Sequence, residues 1–258
     1  MTRIMGILNI TPDSFYSNSR YPSVETAIKR AQDIYAEGAD ILDIGGESTR
    51  PGAPEVDPSI EMERIIPVIQ AVHTLLPISV DTRKPTVAIA AIEAGATLLN
   101  DISGFSDPGM QEIAASSHVE ICVMHMQGSP QTMQNNPFYP GGVVADLMHW
   151  FEKRIELLLK RGVSSKRIIL DPGIGFGKTV EDNLQILRHL SQFKSLGFPL
   201  LLGISRKSFI SKILEKNTEN ILYGTIGMNT LLIRAGIDII RVHDVEAHRD
   251  VVRLLSKY

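Results

Sequence analysis

The chain alternates short apolar runs with longer segments of helical periodicity, and this strand–helix alternation occurs eight times in 258 residues. The runs are continuously apolar, which is typical of parallel strands that are covered on their outer face. Eight such units in a chain of this length predict a closed (β/α)8 TIM barrel, an α/β fold of about 250 residues. An open, doubly wound sheet remains the alternative. The predicted strands cover residues 4–10, 41–44, 78–81, 98–102, 120–124, 168–171, 200–204 and 239–242.

Helical segments follow each predicted strand. No linker or change of composition interrupts the series, so residues 1–258 are expected to form a single barrel domain. The predicted helices cover residues 23–37, 58–75, 85–94, 108–116, 143–161, 180–194, 207–214, 222–235 and 245–256.

Composition excludes several classes of protein. The net charge is −3, so no basic surface favours binding to nucleic acid. No apolar run approaches the roughly 18 residues of a membrane span, and the N-terminus enters a strand pattern directly rather than a signal peptide. The single cysteine, Cys122, lies in an apolar run, so we expect it to be buried and to form no internal disulfide. These features favour a cytoplasmic location.

Polar or ionisable side chains stand at or near the C-terminal end of all eight predicted strands. In a TIM barrel that end forms the active site, whereas the opposite end serves stability. A structural protein has no need of this asymmetry, so the pattern predicts an enzyme. The residues are Asn9, Thr11, Asp13, Asp43, Glu47, Arg50, Asp81, Arg83, Asn100, Asp101, His125, Gln127, Asp171, Ser205, Arg206, Lys207, Arg241, His243 and Asp244.

The stretch from Ile168 to Thr179, IILDPGIGFGKT, is a predicted strand that opens into a glycine-rich turn. It falls short of the phosphate-binding P-loop, because that motif requires glycine where Pro172 stands. Its strictly alternating glycines do not form a GxGxxG fingerprint either. A tight turn that uses glycine for positive φ accounts for the glycines but not for Asp171 at the strand end. We therefore expect the Asp171 carboxylate to hold a partner, and its identity depends on the other strand ends.

Three residues at the strand ends, Asp81, Asn100 and Asp171, offer hydrogen-bond acceptors and one amide. A carboxylate accepts two parallel N–H donors well, as from a guanidine-like edge. A ligand with an amino-pyrimidinone edge, as found in pterins and in guanine, would fit this set.

A second group of residues is cationic or can become so, and Arg and Lys together commonly bind phosphate or pyrophosphate. Asn9 offers an oxygen ligand for Mg²⁺, which keeps most of its waters when it bridges phosphates. Nothing matches a covalent nucleophile or a zinc-binding spacing. The chemistry that fits is displacement of a pyrophosphate leaving group, with cations stabilising the charge that develops on it. The cationic residues are Arg50, Lys207, Arg241 and His243.

Some polar and aromatic residues near the strand ends have more than one interpretation. Asp43 either contacts ligand or supports Arg50 or a backbone turn. Phe176 is either an aromatic lid at the rim or a core residue. Structural or supporting roles, rather than ligand contact, are expected for His125, Asp101 and Asp244.

Eight sequence segments, one at each predicted strand end, carry a resemblance to a known family. They are MGILNITPDSF (5–15), DIGGESTRPGA (43–53), SVDTRKP (79–85), NDISGF (100–105), VMHMQGSP (123–130), LDPGIGFGKT (170–179), LLGISRKSFI (201–210) and IIRVHDV (239–245). DIGGESTRPG together with GISRKS is highly specific. On these motifs the chain resembles the dihydropteroate synthases of bacterial folate biosynthesis over essentially its whole length.

The resemblance implies a transferase that joins 6-hydroxymethyl-7,8-dihydropterin pyrophosphate to p-aminobenzoate and releases pyrophosphate and 7,8-dihydropteroate. The implied mechanism is dissociative: C–O cleavage gives a pterin cation, which the arylamine then attacks. Asp171 would take the 2-amino and N3 hydrogens of the pterin, and Lys207 would reach its ring oxygen and N5. Loops at 11–20 and 47–54 would close over the site.

By position, the resemblance also implies three groups of binding residues, with Mg²⁺ at Asn9. The pterin would be held by Asp81, Asn100, Asp171 and Lys207. Pyrophosphate would be held by Asn9, Arg241 and His243. The p-aminobenzoate pocket, also the target of sulfonamides, would comprise Thr49, Arg50, Pro51, Phe176, Ser205 and Lys207.

The chain departs from the family pattern in three places. Residues 14–22 read SFYSNSRYP where SFSDGG is usual, and residues 224–230 read GTIGMNT where small alanines are usual. The second segment lies in a helix that the family often uses for dimer packing, and the resemblance implies a homodimer. The N-terminus is shorter than in many members. Both a trimmed chain and one half of a fusion with the preceding pyrophosphokinase remain open.

Two rival functions stand beside this interpretation. A methyltetrahydrofolate-dependent methyltransferase also binds a pterin in a barrel through similar Asp and Asn residues, but it has no use for the four cationic residues named above. A pterin-binding paralogue without catalytic activity is the other rival. It would bind the pterin pyrophosphate and release no pyrophosphate.

Overall fold

A computed structural model describes residues 1–11, 24–50 and 52–258, and within these ranges eight strands form one parallel sheet in the order β6-β5-β4-β3-β2-β1-β8-β7. The sheet closes where Leu170 bridges in parallel to Leu200 and donates its N–H to the Pro199 carbonyl at 2.9 Å. The predicted TIM barrel is confirmed. The strands are β1 (Arg3–Asn9), β2 (Ile41–Gly45), β3 (Ile78–Asp81), β4 (Leu98–Asp101), β5 (Glu120–Met124), β6 (Ile168–Asp171), β7 (Leu201–Leu202) and β8 (Ile239–Val242).

Helices alternate with these strands and cover the outside of the sheet. Several begin at side-chain caps: Asp57 caps α2, Asp107 caps α4, and Thr179 forms a capping box with Asp182 at α6. None of the described helices is both long and apolar enough to cross a membrane. The helices are α1 (Val24–Ala36), α2 (Pro58–Val72), α3 (Pro85–Glu93), α4 (Pro108–Ser116), α5 (Val143–Lys160), α6 (Val180–Arg188), α7 (Leu190–Lys194), α8 (Ser208–Leu214), α9 (Leu222–Arg234) and α10 (Val245–Leu255).

Two predicted elements differ from the observed ones. The helix predicted at 180–194 is divided at His189, whose φ of −114° is not helical and whose Nδ1 bonds to the Gln185 carbonyl at 2.8 Å. The strand predicted at 200–204 keeps only Leu201–Leu202 in the ladder. It ends early because the chain turns toward Arg206, which has a positive φ of 55°.

The barrel interior is built in layers, because alternate residues of a strand point to the same face. One layer, the apolar layer, contains seven buried side chains: Met5, Ile41, Leu98, Cys122, Ile169, Leu201 and Ile239. Cys122 is fully buried there, as its sequence context predicts. Two residues further along four of these strands stand the side chains of the polar layer: Asp43, Asn100, Asp171 and Arg241. The polar layer forms the floor of the barrel mouth.

Candidate active site

Arg241 of β8 joins the β2 and β3 sides of the mouth. Its Nε donates to Asp43 Oδ2 at 2.6 Å and its Nη2 to Asp81 Oδ2 at 3.0 Å. Burial opposes the charge on Arg241, but the two carboxylates outweigh that effect and raise the pKa of the guanidinium. Burial also opposes the charge on Asp81 and raises the pKa of its carboxyl group, whereas Arg241 opposes that rise. The direct ion pair therefore favours the ionised form of Asp81.

Asp43 is fully buried and supports Arg241 rather than Arg50, which answers the question that its sequence position left open. Ser79 Oγ donates to its Oδ1, and Asn100 Nδ2 lies 3.5 Å from both carboxylate oxygens. These contacts fix the amide of Asn100 with its nitrogen toward Asp43. Among the described residues, the buried Oδ1 of Asn100 has no hydrogen-bond partner. A ligand N–H donor would satisfy it.

Asp171 ends β6, as predicted, and is 5% exposed. Its Oδ1 accepts the Gly173 N–H at 2.8 Å, which leaves Oδ2 for a second donor. Burial raises the pKa of Asp171 to about 6. The turn that follows requires glycine: Gly173 has a φ of 69°, and a Cβ there would lie 1.9 Å from the His125 carbonyl oxygen. The β6 turn is thus packed directly on the end of β5.

Lys207 lies over Phe176, with its Nζ 4.0 Å from the ring centroid. Burial lowers the pKa of Lys207 to about 8; Arg241 adds to the decrease, whereas Asp171 and Asp81 oppose it. These electrostatic partners place Lys207 at the same mouth as the polar layer. Phe176 is half-buried at the rim and contacts Lys207, so it is not a core residue. The pair forms one wall of the site.

His243 follows β8 and is held by Ser205. The His243 N–H donates to Ser205 Oγ at 3.2 Å, and Ser205 Oγ lies 3.0 Å from His243 Nδ1. When the Ser205 hydroxyl donates to Nδ1, the ring carries its hydrogen on Nε2. Burial lowers the pKa of His243 to about 3, with Arg241 contributing. Burial therefore favours the neutral ring of His243, which in this tautomer donates from Nε2, over the cationic form that the sequence also allows.

Asn9 ends β1 beside Gly45. A Cβ on Gly45 would lie 3.5 Å from Asn9 Oδ1 and 3.4 Å from Asp81 Cβ, so the amide oxygen is close to the Asp81 side of the mouth. In the described part of the chain, no group of three or more His, Cys, Asp and Glu side chains could hold a metal ion. The amide oxygen of Asn9 is a single oxygen donor of the kind that Mg²⁺ accepts.

The loop between β2 and α2 approaches the mouth from the side. Thr49 is half-buried and Arg50 is exposed. The loop rests on the segment after β5, because the Gly52 N–H donates to the Pro130 carbonyl at 3.1 Å. Two predicted features, Pro51 in the p-aminobenzoate pocket and the altered residues 14–22, lie outside the described residues.

Lys178 is a buried cation to which the sequence interpretation gave no role once the P-loop was excluded. It is 3% exposed, and its Nζ donates to the Phe176 carbonyl at 2.9 Å and to the His125 carbonyl at 3.3 Å. Its Nζ also lies 3.1 Å from His125 Nδ1. Burial lowers the pKa of Lys178 to about 7. A lysine inside an apolar, glycine-rich stretch was the only sequence signal for this burial.

The residues expected to play supporting roles have local structural partners. Asp101 accepts the N–H groups of Ser103 at 2.7 Å and Phe105 at 2.9 Å. Asp244 pairs with Arg206 at 2.6 Å. The ring of His125 packs edge-on against Trp150, with 5.0 Å between centroids.

Comparison with known proteins defines the class that this site belongs to. A family profile described as "Pterin binding enzyme" matches residues 5–243. The dihydropteroate synthase of Synechocystis sp. is 47% identical over 98% of this chain and 89% of its own length. The dihydropteroate synthase of Yersinia pestis, solved as a sulfonamide drug complex, superposes with a TM-score of 0.94 at 38% identity and covers 99% of this chain and 94% of its own.

A second solved structure resembles the chain to a similar degree. The dihydropteroate synthase of Xanthomonas albilineans, in complex with 7,8-dihydropteroate, has a TM-score of 0.89 at 37% identity and covers 99% of this chain and 93% of its own. The fold and the match to the pterin-binding profile define a pterin-binding barrel enzyme. The chain belongs to the dihydropteroate synthase family, whose members are transferases of folate biosynthesis.

Proposed function

We propose that the barrel mouth joins 6-hydroxymethyl-7,8-dihydropterin pyrophosphate to p-aminobenzoate, with a separate group of residues for each part of the reaction. The observation that carries this assignment is the unpartnered, buried Oδ1 of Asn100, which stands in the same polar layer as Asp171 and Arg241. A buried acceptor without a partner is unfavourable unless a ligand supplies a donor.

The pterin is assigned to the floor of the mouth. Asp171 accepts the 2-amino and N3 hydrogens, for which its Oδ2 and the free lone pair of Oδ1 are available. Lys207 donates to the ring oxygen and N5, and its position near Asp171 and Asp81 supports this role. Asn100 Oδ1 and Asp81 accept the remaining pterin N–H groups.

Pyrophosphate is assigned to the β1 and β8 side of the mouth. Arg241 brings a permanent charge, His243 donates from its neutral Nε2–H, and Asn9 contributes the amide oxygen that would hold Mg²⁺. Bound Mg²⁺ would supply charge neutralisation on the phosphate oxygens.

If Asn9 acts in this way, calorimetry will detect tighter pyrophosphate binding with Mg²⁺ than without it, and Asn9→Ala will remove the difference. An equal Mg²⁺ effect in the variant would contradict this role.

The p-aminobenzoate pocket is assigned to the Phe176–Lys207 wall and to the loop that carries Thr49, Arg50 and Pro51, with Ser205 beside the wall.

In the reaction, the C–O bond of the pterin breaks and its electron pair leaves with pyrophosphate. The arylamine nitrogen then forms the C–N bond and releases its proton to water. Lys207, Arg241, His243 and Arg50 are the catalytic residues that oppose the charge on the leaving group.

The test is pyrophosphate release from the pterin pyrophosphate and Mg²⁺, with and without p-aminobenzoate. We expect release that depends on p-aminobenzoate and yields dihydropteroate. Lys207→Ala should reduce turnover by at least about a hundredfold, the scale of losing one transition-state contact. Tight pterin binding without pyrophosphate release would support the non-catalytic paralogue, and the absence of pterin binding would exclude the site assignment.

A homodimer is the proposed assembly, and its interface is assigned to the outer face of α9. Tyr223 and Leu231 are 87% and 61% exposed on that face, and Gly227 lies between them at helical spacing. Leu231→Glu should shift the mass measured by sedimentation toward the monomer. An unchanged mass would exclude this face.

The single buried Cys122 suits the reducing cytoplasm, where we propose that the enzyme acts.

A further inference from the structure

The segment between β2 and α2 carries Thr49 and Arg50, and its two ends are tied to each other. Glu47 Oε2 accepts the Val56 N–H at 3.2 Å, which joins the residue before this stretch to the residue after it. Glu47 and Val56 therefore close the base of the loop that lies between them. The geometry of that base decides where Thr49 and Arg50 stand relative to the barrel mouth.

A buried lysine from a different strand end holds this base. Lys84 follows β3 and is 8% exposed. Its Nζ donates to the Glu47 carboxylate, to the Val56 carbonyl at 2.5 Å and to Glu61 Oε2 at 2.7 Å. Glu61 is 1% exposed and belongs to α2. Lys84, Glu47, Val56 and Glu61 are called the Lys84 cluster below.

Two arginines add three further contacts at the same loop base. Arg83 Nη2 lies 3.2 Å from Glu47 Oε1 and 3.0 Å from Glu55 Oε1. Arg64 Nη1 donates to the Gly46 carbonyl at 2.7 Å. Burial raises the pKa of Glu47, but the hydrogen bond from Lys84 and other contacts outweigh it and hold that pKa below its usual value. The loop base is thus held by cations from outside the loop.

The Lys84 cluster lies next to the pterin side of the mouth. Lys84 is three residues after Asp81, and a small cavity lies between the Lys84 cluster and Asp81. The cavity volume is about 10 Å³, which is enough for about one water. It is lined by Glu47, Thr49, Glu61, Asp81, Thr82, Arg83 and Ile102.

We propose that Lys84 is a positioning residue for p-aminobenzoate, which it serves by fixing the base of the loop that presents Thr49 and Arg50. The inference rests on the proposed function. Lys84 contacts neither substrate in this scheme. Loss of the ammonium therefore affects use of p-aminobenzoate, while the pterin contacts of Asn100 and Asp171 remain in place.

The test compares Lys84→Met and Glu47→Gln with the wild-type enzyme. Both variants should raise the KM for p-aminobenzoate by at least about tenfold, within the roughly hundredfold that a 1 Å misplacement can cause. The Kd of the pterin pyrophosphate should change less than about twofold, since the hydrogen bonds of Lys84 go to Glu47, Val56 and Glu61 rather than to the pterin residues. Hydrogen exchange at the Gly52 and Ala53 amides should become faster. Lys84→Arg should recover part of the KM. Glu47→Gln retains the Lys84–Glu61 pair and tests the proposal if Lys84→Met does not fold.

Arg249→Met is the matched control. Arg249 is also a partly buried cation that holds a backbone carbonyl, that of Gly38, and pairs with Asp40 at 2.7 Å, but it does so before β2 at the opposite end of the barrel. It should lower stability without changing the KM for p-aminobenzoate. Wild-type enzyme that releases no pyrophosphate would contradict the proposed function. If the wild-type enzyme is active, two results would contradict the role of Lys84. One is an unchanged KM for p-aminobenzoate in folded Lys84→Met or Glu47→Gln. The other is an equal change of that KM in Arg249→Met.

Discussion

Two neighbouring layers of the same barrel interior have opposite character. The apolar layer includes Ile41, Leu98, Ile169 and Ile239, and the polar layer, two residues later on the same four strands, places Asp43, Asn100, Asp171 and Arg241. Both layers are shaped by the same backbone ladder. A step of two residues along a strand thus separates packing from chemistry, because both positions face the barrel axis.

The two layers also differ in how their side chains are satisfied. Side chains in the apolar layer need only close packing, whereas those in the polar layer must find partners or a ligand. Arg241 is satisfied by two carboxylates, but Asn100 Oδ1 is not satisfied by any described residue. Substitutions in the apolar layer should therefore act on stability with little effect on turnover, whereas substitutions in the polar layer should also reduce substrate binding and turnover.

The largest effect on turnover is expected from Arg241. Arg241→Ala should reduce kcat by at least about a hundredfold, because it removes a charge that opposes the leaving pyrophosphate. It should also destabilise the protein by about 3–5 kcal/mol, since it leaves two buried carboxylates without their partner. Steady-state kinetics and thermal unfolding measure the two effects. Arg241→Lys keeps a charge without the two-pronged donor geometry, and it should recover more stability than turnover. Near-normal kcat in Arg241→Ala would break the distinction between the layers.

The apolar layer is tested at Ile169, two residues before Asp171 and 1% exposed. Ile169→Ala should lower the free energy of unfolding by about 2–5 kcal/mol, because it leaves a cavity in a packed interior. The kcat of the folded fraction should stay within about threefold of the wild-type value, since no charged contact is lost. Ile213→Ala, at a position 51% exposed, is the control and should change stability by less than about 0.5 kcal/mol. A large loss of kcat in folded Ile169→Ala would show that the two layers are coupled.

Asp171→Asn tests one acceptor of the polar layer without removing bulk. The amide oxygen can still accept the Gly173 N–H, but the amide nitrogen would face the pterin donors. We expect pterin affinity to fall by about 10- to 100-fold, the scale of a hydrogen bond to a charged group. Asp101→Asn provides the control, because Asp101 is buried at the end of β4, two strands away from β6, and its carboxylate bonds to its own turn. Calorimetry that finds equal losses in both variants would contradict the assignment of Asp171.

The sequence predicted the barrel and most of its strands because both depend on local, repetitive patterns. Apolar runs, helical periods and glycine stops are read residue by residue, and the strand ends indicated where polar side chains would meet. Asp81, Asn100, Asp171 and Arg241 were identified from position alone. What the pattern could not give was the partner of each side chain. The sequence leaves three roles open for Asp43, namely ligand contact, support of Arg50 and support of a backbone turn, and its bond to Arg241 is none of them.

The remaining differences have similar causes. Lys84 and Lys178 were not assigned any role, because burial of a lysine depends on acceptors that other segments bring to it, as Glu61 and the His125 carbonyl do. His243 was counted with the cations, because sequence does not reveal the burial that lowers its pKa to about 3. Pairing across the barrel is long-range information that a single sequence does not display.

The alkaline limb of the pH profile offers the finest test of the polar layer and its neighbours. Burial lowers the pKa of Lys207 to about 8, so its ammonium is present below that pH and is lost above it. If the ammonium contributes to binding and catalysis, kcat/KM should fall as the pH rises through about 8, since this ratio reports the free enzyme. Lys207→Arg, whose guanidinium stays charged, should move the limb above the measured range even where kcat itself decreases.

Lys178 provides the contrast for this profile, because burial lowers its pKa to about 7 while its bonds go to His125 and Phe176 rather than to the mouth. Lys178→Met should keep the alkaline limb near pH 8, although a looser β6 turn should lower kcat/KM at every pH. If instead the limb persists in Lys207→Arg and disappears in Lys178→Met, then the titrating group is the lysine behind the turn. In that case the charge that matters to the reaction would lie behind the β6 turn rather than at the barrel mouth, and turnover would depend on residues beyond the polar layer and the wall beside it.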